Sequence, residues 1–244
     1  MQEYVISELD SGERLITERL TSVRSVALGF WIGAGARDEP DTKAGVSHFI
    51  EHLLFKGSSR YSAQDIAELF DAMGGEINAA TSRETTVVYT RVPDRRLEEA
   101  LDAMVDMVFA PAFEDVDSER EVVLEEIAMV DDNPQELVHD LAAEAVFGNH
   151  PLGRPVIGSA EVIAGVSRRA LRSYHGGAYV GSPFASVSFA STSWTRRTVV
   201  FFRSSRRLAV SNDWMKTGAS RRFQPACSSD ATSFSSSGNP IDRK

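Results

Sequence analysis

Cysteine is nearly absent from this chain of 244 residues, which contains only Cys227. A single cysteine excludes an internal disulfide and any metal cage built from several thiolates, so metal ligands would have to be histidine or carboxylate side chains. Long apolar runs are also missing, and no segment approaches the roughly 18–20 residues that span a bilayer. The first residues lack the features of a secretory signal or an organelle presequence. These absences predict a cytoplasmic protein with no membrane partner.

Basic side chains are outnumbered by acidic ones, and the formal net charge is −9. This balance argues against a nucleic-acid partner and favours basic peptides. Residues 1–181 hold 32 acidic and 16 basic side chains, whereas residues 182–244 hold 3 and 10. The second segment also has 15 serines, no glutamate and no helical or strand periodicity. We therefore predict a folded domain over 1–181 and an atypical tail over 182–244 that is disordered or results from a reading-frame shift.

The most informative segment reads His48-Phe49-Ile50-Glu51-His52. Residues four apart lie on one face of a helix, so His48 and His52 can direct ring nitrogens at the same metal ion. Glu51 lies beside His52 and can act there as a base, in the inverse order of the commoner zinc-protease motif. An exposed helix face is the ordinary alternative, but a chance match is rare in a chain with five histidines.

A catalytic zinc site needs a third protein ligand, because it binds three protein groups and one water. An acidic stretch offers Glu119 and Glu126, which are seven residues apart and share a helix face. We predict Glu126 as the ligand and Glu119 as a nearby supporting carboxylate, although a solvated face of a glutamate-rich helix explains the spacing equally well. In the mechanism that follows, Glu51 takes a proton from a metal-activated water and returns it to the departing amine of a peptide.

The apolar patterns predict an α+β fold, with a mostly antiparallel sheet backed by helices. A β-hairpin is predicted from strands at 14–20 and 23–32. The other predicted strands cover 77–80 and 85–92, and the predicted helices cover 43–56, 63–73, 96–109 and 117–147, the last interrupted near 131–134. Residues 151–181 are predicted to be a connector with one short helix. The three remaining histidines, His139, His150 and His175, are predicted to be surface or capping residues.

Several motifs together resemble the pitrilysin or insulinase zinc metallopeptidases, and among them the bacterial members similar to the mitochondrial processing peptidase. The resemblance covers residues 10 to about 180. It rests on the hairpin at 12–35 with Arg37-Asp38-Glu39, and on the stretches 45–57, 75–84, 119–127 and 152–158. It implies one zinc ion held by His48, His52 and Glu126, with Glu51 as the base and Glu119 in support.

The resemblance also implies a peptide or unfolded polypeptide as substrate. It suggests that the strand at Asn78 and Ala79 pairs with an extended peptide, in a chamber formed by two similar α+β halves. This chain contains one such half, which leaves two alternatives to a zinc endopeptidase. The first is a non-catalytic or partner-dependent subunit that needs a second homologous half. The second is a metal hydrolase acting on a small molecule, because the inverted motif also serves a family of small-molecule lyases.

Overall fold

The computed structural model of the protein describes residues 4–8, 13–20, 22–179 and 186–191. Within these ranges the strands are β1 (Tyr4–Glu8), β2 (Arg14–Arg19), β3 (Ser25–Ile32), β4 (Glu76–Thr81), β5 (Thr86–Pro93) and β6 (Ser186–Ser191). The α-helices are α1 (Val46–Leu54), α2 (Ala63–Met73), α3 (Leu97–Phe109), α4 (Val116–Asp131), α5 (Pro134–Phe147), α6 (Ala160–Gly165) and α7 (Arg168–Ala178).

The strands form one sheet in the order β1-β2-β6-β3-β5-β4. All neighbouring pairs are antiparallel except β2 and β6, which run parallel. The predicted α+β class, with a mostly antiparallel sheet backed by helices, is confirmed. β4 lies at one edge of the sheet, and this edge carries Asn78 and Ala79.

The predicted hairpin is wrong in its pairing, although both of its strands exist. β6 lies between them, so that Arg14 of β2 is opposite Ser186 and Leu28 of β3 is opposite Phe189. Consecutive strands often pair directly, but this sheet inserts a strand from much later in the chain. β6 also falls in the segment 182–244, where the serine-rich composition predicted no strand. The rest of that segment lies outside the described residues, so the predictions about it remain predictions.

The helices cover one face of the sheet. The orientation of α1 is fixed by its apolar side, which is buried against the core. Phe30 of β3 is 1% exposed, and four apolar residues of α1 are fully buried: Phe49, Ile50, Leu53 and Leu54. Replacing one such leucine by alanine costs about 2–5 kcal/mol. Because these residues face the core, the other side of α1 presents the polar residues of the sequence motif.

Helix boundaries follow the local sequence signals. Ser62 caps α2, and its hydroxyl accepts a hydrogen bond from the Asp65 amide at 3.1 Å. The predicted interruption between α4 and α5 occurs at Asn133, whose side chain accepts from the Gln135 amide at 3.1 Å, with Pro134 as the first helical residue. None of the helices in the described ranges is long and apolar enough to cross a bilayer.

The segment predicted as a connector contains two helices, α6 and α7. His175 of α7 is buried, so its prediction as a surface or capping residue is wrong. Its Nε2 lies 2.7 Å from the carbonyl oxygen of Val108, and its ring stacks on Tyr179. A short amphipathic stretch in a polar segment gave too little signal to predict this burial. His139 and His150 are exposed, and His150 caps the turn Pro151–Gly153.

Candidate metal centre

The N-terminus of α1 is held by a carboxylate from outside the helix. Glu39 is 3% exposed, and its two oxygens accept hydrogen bonds from the amides of Gly45 and Ser47, both at 2.6 Å. A helix N-terminus has free N–H groups and favours negative charge, so Glu39 takes the place of a side-chain cap. Burial raises the pKa of the Glu39 carboxyl, while the two amide donors act in the opposite direction. The sequence predicts no role for Glu39, because residues 40–44 separate it from the helix whose first amides it binds.

A second contact fixes where α1 begins. Gly45 has φ +92°, a left-handed conformation that favours glycine, and a Cβ there would lie 2.5 Å from the Ile157 carbonyl oxygen. Gly158 packs on the same point, since its own Cβ would lie 2.4 Å from the Ala44 carbonyl oxygen. The stretch 152–158 therefore supports the start of the motif helix.

The two histidines of α1 face one carboxylate of α4. Nε2 of His52 lies 3.4 Å from Oε2 of Glu126, and Nε2 of His48 lies 3.7 Å from the same oxygen. The imidazole rings are 4.8 Å apart between centroids, and one ligand atom from each of the three residues lies within 4.8 Å of the others. In the part of the chain that the structure describes, this is the group of side chains that could hold a metal ion.

This arrangement fits zinc. With ligands about 2.0–2.1 Å from a tetrahedral ion, two ligand atoms are about 3.3 Å apart, close to the separations from Glu126. Burial lowers the pKa of His48 to about 4, with a contribution from the charge of His52. His48 is therefore neutral at neutral pH and free to donate a lone pair to a metal.

Glu119 stands behind His52. Its Oε2 is 3.5 Å from Nδ1 of His52, and its Oε1 is 2.7 Å from the ammonium nitrogen of Lys56. A carboxylate in this place fixes the orientation of a ligating histidine and raises its basicity. Lys56 was not predicted, because it lies two residues beyond the end of α1 and helical spacing does not fix its position.

Glu51 is half-buried beside the histidines. Its Oε2 accepts a hydrogen bond from the Thr81 hydroxyl at 2.5 Å. Burial raises the pKa of the Glu51 carboxyl, and the bond from Thr81 opposes this. A base with a raised pKa is better matched to proton transfer near neutral pH. Thr81 was missed because it lies on β4, and nothing in its local sequence indicates the contact.

Residues 14–160 match the sequence model of the family described as Insulinase (Peptidase family M16). The chain belongs to this family. An uncharacterized zinc protease of Mycobacterium leprae (strain TN) is 50% identical over 169 residues, covering 68% of this chain and 38% of the relative. A probable mitochondrial-processing peptidase subunit beta of Arabidopsis thaliana is 36% identical over 174 residues, covering 70% of this chain and 33% of the relative. The predicted resemblance is confirmed.

Solved structures of the insulinase family share the fold. The crystal structure of a peptidase M16 inactive domain from Pseudomonas fluorescens superimposes with a TM-score of 0.73 at 17% identity, covering 78% of this chain and 47% of that one. At this identity the likeness concerns the fold alone. The insulinase-family chain described here spans about two fifths of the length of the curated relatives that it matches first.

The predicted substrate-binding residues lie on β4, next to α1. Asn78 is exposed and Ala79 is 8% exposed. The Ala79 amide donates to the side-chain oxygen of Asn78 at 2.9 Å. β4 pairs with β5 on one side, and no other described strand covers its second side. The structure thus brings the two histidines, Glu51, Glu119 and Glu126 together, and it places Asn78 and Ala79 on the strand that reaches Glu51 through Thr81.

Proposed function

We propose that this insulinase-family chain is a zinc-dependent endopeptidase that hydrolyses peptide bonds. The observation that carries the proposal is the convergence of two histidines and Glu126 on one point, with Glu51 on the same helix face. Relatives named zinc proteases support a zinc ion, and we propose one ion per chain, bound by His48, His52 and Glu126.

Glu51 acts as the general base. When bound, zinc supplies a Lewis acid that polarises a peptide carbonyl and lowers the pKa of water toward about 7. Glu51 removes a proton from the attacking water, whose oxygen forms a bond to the carbonyl carbon. As the carbon–nitrogen bond breaks, Glu51 returns this proton to the leaving amine. Glu119 orients His52 and does not touch the reacting atoms.

The substrate is a peptide or an unfolded polypeptide. The open side of β4 can add an extended peptide as a further strand, with Asn78 and Ala79 in direct contact. The Ala79 amide is bonded to the side chain of Asn78, so this side chain would turn aside to let a substrate carbonyl bind. The net charge of −9 favours basic peptides and disfavours nucleic acids.

The test combines zinc stoichiometry with peptide hydrolysis. We expect one zinc per wild-type chain and cleavage of an unstructured reporter peptide. Glu51→Gln should retain zinc and lose turnover by about 10²–10⁴-fold, the usual contribution of a general base. Glu126→Gln should lose zinc, whereas Glu125→Gln, on the exposed side of α4, is the matched control and should keep it. Turnover that persists in Glu51→Gln would refute the proposal.

A second candidate function is a subunit that needs another homologous half. One observation favours it: the chain spans 38% of its Mycobacterium leprae relative. Zinc binding without cleavage, followed by cleavage once a separately expressed second half is added, would select this candidate. A metal hydrolase acting on a small molecule is the remaining alternative. In that case a peptide that binds β4 with high affinity should not inhibit turnover of the small molecule.

We propose a catalytic domain over 1–181, whose sheet is completed by β6 (Ser186–Ser191) of the following segment, and an atypical tail over the rest of 182–244. Support comes from the change in charge and serine content near residue 181. Resequencing the coding DNA tests the reading-frame hypothesis, and limited proteolysis tests for disorder of the tail. A cytoplasmic location is a further proposal, and cell fractionation would test it.

A further inference from the structure

Thr81 connects the edge strand to the base. It is the last residue of β4, and its hydroxyl donates to Oε2 of Glu51 across 30 positions of sequence. A glutamate side chain has several rotatable bonds, so its carboxylate needs a partner to keep one orientation. The hydroxyl bonds Oε2, and the Thr81 backbone amide acts on the same carboxylate. A carboxylate has about four lone-pair sites, so sites remain for a proton.

The position of Thr81 is itself fixed by the turn that follows it. The carbonyl of Ser82 accepts from the Ala36 amide at 3.2 Å, and that of Arg83 accepts from the Arg37 amide at 2.7 Å. The side chain of Arg83 also bonds the Leu152 carbonyl at 3.0 Å and Asp140 at 3.1 Å. The hydroxyl is therefore presented to Glu51 by a segment tied to two other parts of the domain.

The same strand carries the proposed peptide-binding residues. Asn78 and Ala79 precede Thr81 by three and two residues, or about 7–10 Å along a strand. One rigid strand thus contacts both the proposed substrate and the proposed base. Such an arrangement fixes the position of the base relative to the bound peptide. Small errors in this relative position slow catalysis strongly.

We propose that Thr81 is a positioning residue for Glu51, holding its carboxylate in the orientation that receives the proton of the attacking water. This inference rests on the proposed function. It predicts a loss of turnover when the hydroxyl is removed, with peptide binding and zinc binding preserved. A purely structural role of Thr81 in the hairpin formed by β4 and β5 would instead change stability or peptide affinity.

Three variants separate these possibilities. Thr81→Val removes the hydroxyl and keeps the β-branched shape that strands favour. Thr81→Ser keeps the hydroxyl. Thr85→Val is the matched control, because the Thr85 hydroxyl lies in the same hairpin turn at 3.0 Å from the Ser82 hydroxyl. Measurements are kcat and KM for a reporter peptide, zinc stoichiometry and Tm, with Glu51→Gln as the inactive reference.

We expect kcat to fall about 10–100-fold in Thr81→Val, the size of a positional error of about 1 Å, with KM within about twofold and zinc unchanged. Thr81→Ser should regain most of the loss, and Thr85→Val should resemble the wild type. Wild-type kcat in Thr81→Val, or a raised KM with unchanged kcat, would overturn the inference. So would a failure of Thr81→Ser to recover turnover.

A measurement that does not depend on turnover decides the remaining cases. The ¹³C resonance of the Glu51 carboxyl carbon, assigned with Glu51→Gln, should shift in Thr81→Val and return in Thr81→Ser. An unmoved resonance would overturn the inference even if the chain alone cleaves no peptide. Turnover that persists in Glu51→Gln contradicts the proposed function, and the resonance still decides whether Thr81 holds this carboxylate.

Discussion

Two regions of this domain contain buried or partly buried histidines. They differ in the group that the Nε2 atom of each histidine approaches. On α1, His48 and His52 point Nε2 at one carboxylate of α4. On α7, His175 points Nε2 at the Val108 carbonyl and packs between Phe113 and Tyr179. Burial is thus common to both regions, and the nature of the acceptor distinguishes a candidate ligand from a core residue.

The two α1 histidines also differ from each other. His52 has Glu119 behind Nδ1, whereas His48 Nδ1 is buried and has no hydrogen-bond partner among the described residues. Since a buried polar atom without a partner is costly, the Nδ1 of His48 lowers the free energy of unfolding, and a metal bound at Nε2 would leave this cost in place.

The largest expected difference between the regions is in zinc affinity. His48→Ala removes one of the three proposed protein ligands of the ion, and structural zinc sites with four ligands contribute about 10–16 kcal/mol in total. We therefore expect zinc affinity to fall at least about a hundredfold, as measured by competition with a chromophoric chelator. His175→Ala should retain the wild-type affinity, and an equal loss in both variants would erase the distinction.

Stability should respond in the opposite way. His175 is 5% exposed and packs against two aromatic rings, so His175→Ala should lower the unfolding free energy of the metal-free protein by about 2–4 kcal/mol, as for other large-to-small core substitutions. His48→Ala also removes a nitrogen that lacks a partner, so its cost should be smaller. Urea denaturation in the presence of a chelator measures both values. A larger cost at His48 would contradict this comparison.

A smaller effect is expected from the carboxylate behind His52. Glu119→Gln keeps the size of the side chain and removes its charge, which should lower zinc affinity about 10–100-fold, the usual effect of losing such a partner. Glu121→Gln lies on the exposed side of the same helix and is the control. An unchanged zinc affinity in Glu119→Gln would mean that His52 needs no charged partner at Nδ1 to bind the ion. His48 has no such partner among the described residues.

How much of this site the sequence predicts depends on distance along the chain. His48, Glu51 and His52 were predictable because a helix brings residues three and four apart together. Glu126 required a spacing of seven on another helix and the family resemblance. Thr81 was not predictable, because strand β4 reaches the motif helix only through the fold.

Distance along the chain also explains the errors in the predicted fold. Local patterns predicted four of the six described strands and most helices, since apolar periodicity is a short-range signal, but they predicted neither β1 nor β6. They did not predict that β6 separates β2 from β3, because the pairing joins segments far apart in the sequence. The burial of His175 was missed for a related reason, as it follows from the packing of α7 against α3.

The smallest predicted effect is a pH dependence that separates His175 from its neighbours. Burial lowers the pKa of His175, while the bond to the Val108 carbonyl opposes this. Below the ordinary histidine pKa of about 6.5 the unfolded chain therefore binds a proton that the folded chain does not. The unfolding free energy of the metal-free wild type should fall as the pH decreases below that value. His175→Gln keeps a polar side chain but cannot take up this proton, so the stability difference between the wild type and the variant should narrow over the same range. Denaturation curves collected between pH 8 and pH 5 measure this difference, and a constant difference would show that His175 does not contribute.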